Sequence, residues 1–263
     1  MSVISVNSLT FGYDGAADNI FENINLQLDT DWKLGLTGRN GRGKTTFLRL
    51  LAGELEYSGT ITSSVDFYRF PFVPKDDRLP AIDIILSICS GREDWEIDCE
   101  LSQLGLDPAI AERPLCTLSG GERTKLLLSA MFLAENCFLL IDEPTDNLDS
   151  ETRELIGEYL SRKSGFILVS HDRALLGRCT DHIMSIDRSR ITVTKGNYSV
   201  WQREKELSDS RELEENRRLR KEISRLTDAA KRTAEWADRS ERKKIGFEPT
   251  KVEKSPTRRA YEG

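Results

Sequence analysis

No apolar stretch of the chain approaches the roughly 18 residues that a membrane-spanning helix requires. The longest candidates, such as residues 137–141, have the length of a strand. Histidine is nearly absent: His171 and His182 are the only two, too few for a histidine-rich metal centre. Cys89, Cys99, Cys116, Cys137 and Cys179 are odd in number, scattered, and form no CxxC pair. That usage argues against a disulfide framework or a thiolate metal site and fits reduced cytosolic thiols used for packing. The N-terminal MSVISVNSLTFGYDG has neither a basic n-region nor an apolar h-region, so no signal peptide is expected and the expected location is the cytoplasm. No internal repeat is present.

A length of 263 residues suits one large domain, or one domain with an appendage. It suffices for a hydrophobic core that needs no disulfide or metal staple. Charge is unevenly spread. Residues 202–263 hold 18 basic against 14 acidic side chains, a net +4, whereas residues 1–201 hold 20 against 30, a net −10. An acidic body with a basic, highly charged tail is two kinds of structure in one chain.

Through residue 200 short apolar runs alternate with amphipathic stretches, the pattern of an α/β fold. Residues 3–9 and 24–28 alternate apolar and polar side chains as half-buried strands do. Residues 32–37 read as a strand entering a glycine-rich loop, and 45–51 as the start of a helix. Residues 138–141 and Phe166–Val169 are short, wholly apolar strands of a buried sheet. Residues 80–118 suggest short helices separated by turns. After Trp201 proline and glycine vanish until Gly246, and the apolar residues thin to a stripe. Leu219, Ile223, Leu226, Ala230, Thr233 and Ala237 follow the alternating four-three spacing of a coiled-coil seam. One arm of a helical hairpin is the preferred reading over a single solvated helix. Residues 246–263 lack periodicity and are expected to be loop or disordered. The expected organisation is a domain at 1–200, a helical arm at 201–245 and a tail at 246–263.

Gly38-Arg39-Asn40-Gly41-Arg42-Gly43-Lys44-Thr45-Thr46 matches the phosphate-loop spacing GxxxxGK[ST]. Glycines let the backbone wrap an anion so that successive N–H groups point inward. The same N–H groups open a helix, whose dipole favours negative charge. Lys44 would reach the β- and γ-phosphates and the Thr45 hydroxyl would ligate Mg2+. A chance glycine-rich turn does not explain the strand before the loop and the helix after it. Phe138-Leu139-Leu140-Ile141-Asp142-Glu143 is a buried strand ending in two carboxylates. Asp142 would hold Mg2+ through its water shell, and Glu143 would polarise an attacking water as general base. Alone, that pattern is also a solvated strand end. Leu118-Ser119-Gly120-Gly121-Glu122 places a small hydroxyl and bare amides at another helix N-terminus, ready for a γ-phosphate. A capping box accounts for the local shape of this segment too, but not for the other two motifs standing in order around it.

On these three motifs the chain resembles ATP-binding cassette (ABC) ATPases over residues 3–191. The resemblance implies an ABC nucleotide-binding domain: a phosphate-loop core sheet, an antiparallel β subdomain and a small helical subdomain, followed here by a charged helical arm. It implies ATP and Mg2+ as cofactors. It also implies that each ATP is sandwiched between two cassettes, so hydrolysis needs a second cassette downstream or a homodimer. Pro144-Thr145-Asp146-Asn147-Leu148-Asp149 resembles the loop after the catalytic Glu143, with Asp149 bridging two nucleotide sites. Val169-Ser170-His171-Asp172 resembles the switch, in which His171 would contact the γ-phosphate. Tyr13 matches the family's adenine-stacking aromatic; Phe11 is the alternative, and either also suits a core position. The family's glutamine at the exit towards the helical subdomain is replaced by Lys75 in Phe72-Val73-Pro74-Lys75. Lysine binds phosphate as a point charge but cannot ligate Mg2+ or orient water as an amide does.

Three features resemble the ABC-F branch of ribosome-associated ATPases. These are Ser170-His171-Asp172-Arg173-Ala174-Leu175-Leu176 after the switch, Lys195-Gly196-Asn197-Tyr198-Ser199-Val200-Trp201 at the cassette's end, and the charged helix that follows. In that branch the interdomain hairpin reaches towards the tRNA and peptidyl-transferase region of the ribosome, a phosphate-rich target suited to a basic arm. The 229–238 segment is most similar to antibiotic-resistance members. Asp146-Asn147-Leu148-Asp149 departs from the branch's Asn-His-Leu-Asp. With no second phosphate loop present, the chain is expected to be the N-terminal half of a longer protein. The competing expectation is the ATPase subunit of a membrane transporter, which would dock on residues 75–118 and have no charged helix after the cassette.

Overall fold

Alternating side chains build the first sheet. In the computed structural model, β1 (Val3–Phe11) buries Ile4, Val6, Leu9 and Phe11. It pairs antiparallel on one side with β2 (Phe21–Asp29), which buries Phe21, Ile24 and Leu28, and on the other with a short fourth strand, β4 (Ser58–Thr62). The structure describes residues 2–16, 18–187 and 190–245, so the expected loop at 246–263 lies outside the described residues.

The second sheet has six strands. β3 (Lys33–Gly38), β5 (Asp66–Phe70), β6 (Cys137–Asp142), β7 (Phe166–Val169), β8 (His182–Asp187) and β9 (Arg190–Lys195) lie in the order β5-β6-β7-β3-β8-β9. The first five run parallel, and β9 closes the edge antiparallel to β8. Both faces are covered, which is why β6 and β7 read as unbroken apolar runs. Phe138, Leu140, Ile167 and Val169 face the first sheet, with Phe47 and Leu48 of α1 (Lys44–Leu51) between. Leu139, Ile141, Phe166 and Leu168 face a second core.

That second core is built by α4 (Gly120–Leu133), α5 (Ser150–Arg162), α6 (Arg173–Cys179) and the helical segment between β5 and α4. The segment holds α2 (Ala81–Ile88), α3 (Asp94–Gln103) and the short 3-10 turns Pro108–Glu112 and Leu115–Thr117. The α/β class and its parts thus follow the expectation from sequence. All five cysteines are free thiols, and burial pushes those of Cys137 and Cys179 up to about 11, away from reactivity.

The described residues divide into two compact units that part after residue 204. The last helix, α7 (Tyr198–Ile245), starts in the first unit. Asn197 caps its start: the Asn197 Oδ1 accepts from the Val200 N–H at 3.2 Å. Tyr198 packs against the second core, and the Ser199 hydroxyl lies beside Gly177 of α6. In the second unit the seam residues Leu219, Ile223 and Leu226 are exposed along a single helix.

Candidate functional site

Strand order decides which loops meet. β7 lies between β6 and β3, with Val169 opposite both Asp142 and Leu36. The loops leaving the carboxyl ends of these three strands are therefore neighbours, at the edge where α/β sheets bind ligands. They carry Glu143, His171 and the Gly38–Lys44 turn, as numbered in the chain.

The turn after β3 needs glycine for a reason visible at Gly43. Its φ is +92°, and a Cβ there would sit 2.6 Å from Ile20 Cγ2 and 2.9 Å from Phe21 Cζ. Only glycine combines the left-handed backbone with that close approach. Gly43 caps α1, whose first turn contains no acidic residue, so the positive end of the helix is left uncompensated. Lys44 folds back over the loop and donates to the Gly38 carbonyl at 3.0 Å and the Asn40 Oδ1 at 3.3 Å. Both acceptors are neutral, and among the described residues no ion pair engages Lys44. Thr45 is exposed, whereas Thr46 is buried and meets the Tyr13 hydroxyl at 3.2 Å. Tyr13 is 45% exposed and stands edge-on to Phe11, itself buried in the core. Of the two aromatics, Tyr13 is thus the one open to a ligand. Arg39, Gly41 and Arg42 are also exposed; the Arg42 N–H donates to the Arg39 carbonyl, closing the loop's tip.

Glu143 follows β6 in a left-handed conformation, φ +47°, sparsely populated for a residue with a Cβ. Its own N–H donates to the Val169 carbonyl at 3.0 Å, pinning the turn to β7. Its Oε2 accepts from the His171 N–H at 3.1 Å, and its Oε1 lies 3.5 Å from His171 Nε2. Oε1 is buried and makes no hydrogen bond. Burial pushes the Glu143 carboxyl above its ordinary value, opposed by the His171 contacts and reinforced by the negative charges of Asp146 and Asp142. A raised, half-buried carboxylate with one uncommitted oxygen is equipped to take a proton. The switch loop is fixed beyond His171. Ser170 Oγ accepts from the Asp172 N–H, and Asp172 caps α6 by accepting from Ala174 and Leu175.

A second group of residues collects at the N-termini of α4 and α5. Ser119 caps α4 in a reciprocal box: its backbone N–H donates to Glu122 at 2.8 Å, and its Oγ accepts from the Glu122 N–H at 3.3 Å. Those bonds hold the exposed Glu122 carboxyl below its ordinary value. Gly120 faces open space. Asp149 caps α5, accepting from the Thr152 N–H at 2.8 Å and its hydroxyl at 2.9 Å, bonds that lower the Asp149 carboxyl. A Cβ on Gly121 would lie 3.6 Å from the Thr152 side chain, so Thr152 links the two helix starts. Thr152 was not among the residues expected from sequence; its only signal is the Asp-x-x-Thr spacing of a capped helix. No hydrogen bond or ion pair among the described residues joins the Ser119 loop to the Lys44 loop. Lys75 is exposed between β5 and α2, and among the described residues no hydrogen bond or ion pair joins it to another site residue.

Oxygen donors dominate the places assigned to a metal, Thr45 at the start of α1 and Asp142 at the end of β6, which suits Mg2+. Among the described residues no cluster of three His, Cys, Asp or Glu could hold a metal.

Comparison with known proteins finds relatives for this chain. Residues 21–146 match the ABC transporter family. The ABC transporter ATP-binding protein YfmR of Bacillus subtilis is 29% identical over 280 residues, covering 88% of this chain and 44% of that protein. The human ATP-binding cassette sub-family F member 3 is 27% identical, covering 76% of this chain and 29% of that protein. The Arabidopsis thaliana ABC transporter F family member 5 is 27% identical, covering 81% and 33%. The chain therefore spans less than half the length of these relatives. Among solved structures, a bacterial Atm1-family ABC exporter with ATP bound superposes with a TM-score of 0.63 at 19% identity, over 77% of this chain and 40% of that one. At that identity the likeness is one of fold.

Proposed function

We propose that this chain, whose residues 21–146 match the ABC transporter family, is an ABC-type ATPase, one cassette of an ABC-F protein that couples Mg-ATP hydrolysis to ribosome binding in the cytoplasm. The observation that carries this reading is α7. A 48-residue charged helix directly follows the cassette, and among the described residues no helix is long and apolar enough to cross a membrane. At about 100° per residue, the seam from Leu219 to Ala237 occupies one face of that helix. Arg217, Arg218, Lys221, Arg225 and Arg232 fall on the far side, interrupted by Asp228, and all are exposed. One face suits a partner helix and the other a phosphate backbone. Similarity to the ABC-F relatives supports the same reading.

The residues take roles that their surroundings allow. Tyr13 stacks on adenine beside the phosphate loop. The N–H groups from Gly41 to Thr46 and the Lys44 ammonium bind the β- and γ-phosphates. Thr45 and Asp142 hold Mg2+, which when bound neutralises phosphate charge. Glu143 accepts the proton of the attacking water at its uncommitted Oε1, and His171 faces the γ-phosphate. Ser119, Gly120 and Gly121 face the γ-phosphate bound by a second cassette, with Asp149 bridging the two sites. ATP thereby joins two cassettes, and hydrolysis releases them. The switch is one short helix from the arm's root: α6 starts next to His171 and carries Gly177 beside Ser199.

The test is sedimentation of the full-length Glu143→Gln protein with ribosomes, with and without ATP. ATP-dependent co-sedimentation is expected. Absence from ribosomes, with the protein recovered on membranes, would favour a transporter ATPase subunit instead. Resistance to ribosome-directed antibiotics is the further expectation from the 229–238 segment, read as survival of cells expressing the intact gene.

A further inference from the structure

Away from the nucleotide loops, one carboxylate is buried where four elements meet. Glu100 of α3 is 6% exposed. It accepts a short hydrogen bond from the Tyr159 hydroxyl of α5 and a short ion-paired contact from Lys163 at the end of that helix. Gln103 donates to its other oxygen at 3.1 Å. The Lys163 ammonium lies over the Tyr159 ring at 4.8 Å and the Phe132 ring at 5.7 Å. Phe132, in the last turn of α4, stands edge-on to Tyr159 at 5.5 Å and to Phe166, the first residue of β7, at 6.1 Å.

The carboxylate bonds α3 to α5 directly, and α4 and β7 join that link through the Phe132 ring, which packs on Tyr159, Phe166 and the Lys163 ammonium. α4, α5 and β7 share a property. α4 opens at the Ser119 loop, α5 opens at Asp149, and β7 leads into His171. Each holds a nucleotide-site residue at one end and enters the Glu100 cluster at the other. Apolar packing alone tolerates sliding, because hydrophobic contact is non-directional. A buried carboxylate with three polar partners is satisfied in one arrangement only, since each partner lost leaves an uncompensated group.

We infer that Glu100, Tyr159 and Lys163 form a positioning cluster that fixes α5 to α3 and, by orienting the Tyr159 ring and Lys163 ammonium against Phe132, holds α4 and β7 in the register that ATP hydrolysis requires. The inference rests on the assignment of Ser119, Asp149 and His171 to the nucleotide site. The cluster touches no substrate; it acts through the distant ends of the elements it joins. The phosphate loop follows β3, which contributes no residue to the cluster, so binding of ATP to that loop is expected to be little changed when the cluster is altered.

Tyr159→Phe is the main variant, because it keeps the ring and its contact with Phe132 while removing the hydroxyl. Glu100→Gln and Lys163→Arg accompany it, the latter keeping the charge. With each protein assayed well below its Tm, kcat for ATP hydrolysis by full-length Tyr159→Phe is expected to fall roughly tenfold, the scale of a small misplacement transmitted from afar. Glu100→Gln is expected to fall further, and Lys163→Arg to stay near wild type. The Kd for mant-ATP should be unchanged in all three. A Tyr159→Phe protein with a lower Tm but wild-type kcat would overturn the inference, leaving the cluster a stabilising contact alone. Glu143→Gln separates the two layers: persistent hydrolysis there sinks the site assignment and the cluster with it.

Discussion

Glu143 and His171 meet through two pairs of atoms, the His171 N–H on Oε2 at 3.1 Å and the imidazole Nε2 at 3.5 Å from Oε1. The first contact comes from the backbone and survives any change of the histidine ring. The second depends on where the ring points. The carboxylate is thus held by the switch backbone while its second oxygen remains available, and the imidazole can turn away without breaking the backbone contact.

Glu143→Gln should keep ATP binding and lower the hydrolysis rate by about two to four orders of magnitude, the range for loss of a positioned base. In the wild type, activity should fall on the acid side at a pH above the ordinary carboxylate range, because burial raises the Glu143 carboxyl. The sign for stability is opposite to that of a paired carboxylate. Between its unfolded and raised folded pKa the native state binds more protons, so the charged form is a cost that is present at neutral pH and relieved as pH falls. The glutamine variant should therefore melt higher than wild type at neutral pH, with the difference shrinking in acid. Calorimetry from pH 5 to 8 checks the trend; a lower Tm at neutral pH would contradict it.

Tyr13 carries a stacking face and a hydroxyl, and two substitutions separate them. Tyr13→Phe loses the bond to Thr46, a partly exposed contact worth about 1 kcal/mol or less. Tyr13→Ala also loses the ring, and aromatic stacking on a base contributes roughly 1–3 kcal/mol. The Kd for ATP should rise about tenfold or more in the alanine variant and only slightly in the phenylalanine variant. An alanine variant that binds ATP as wild type does would place the adenine elsewhere.

Much of this arrangement was legible because the physics leaves marks at short range. Residues 138–141 and Phe166–Val169 read as buried strands because both faces of the sheet are covered. The glycine spacing announced a phosphate loop because Gly43 admits no side chain. Other parts left weaker marks. β4 and β5, SGTIT and DFYRF, are edge strands with mixed exposure and no clean apolar alternation. β8 is interrupted by Ser185 and starts with a histidine stacked on Trp32. The left-handed turn at Glu143 has no sequence signal, since strain at a glutamate is imposed by the surrounding strands. The Glu100 cluster was invisible for another reason. Its members are 59 and 63 positions apart, and only the fold brings them together.

The far face of α7 makes the proposed ribosome contact quantitative. Arg218, Lys221 and Arg225 are exposed within two turns of the helix. If they lie on RNA phosphates, each releases bound counterions, and the logarithm of affinity falls linearly with the logarithm of salt concentration. Replacing all three by alanine should reduce the magnitude of that slope by roughly two to three, at about 0.7–0.9 per phosphate contact. Affinity at low salt should drop steeply, while the difference from wild type narrows as salt rises. Replacing Leu219, Ile223 and Leu226 by alanine should behave differently, because apolar seam contacts are little affected by screening. Those changes should weaken binding, where they weaken it at all, by a similar factor at every salt concentration. Titrating ribosomes with each full-length variant between low and physiological salt distinguishes the two faces. An unchanged slope in the basic triple variant would remove this face from the RNA and leave the seam as the helix's contact surface.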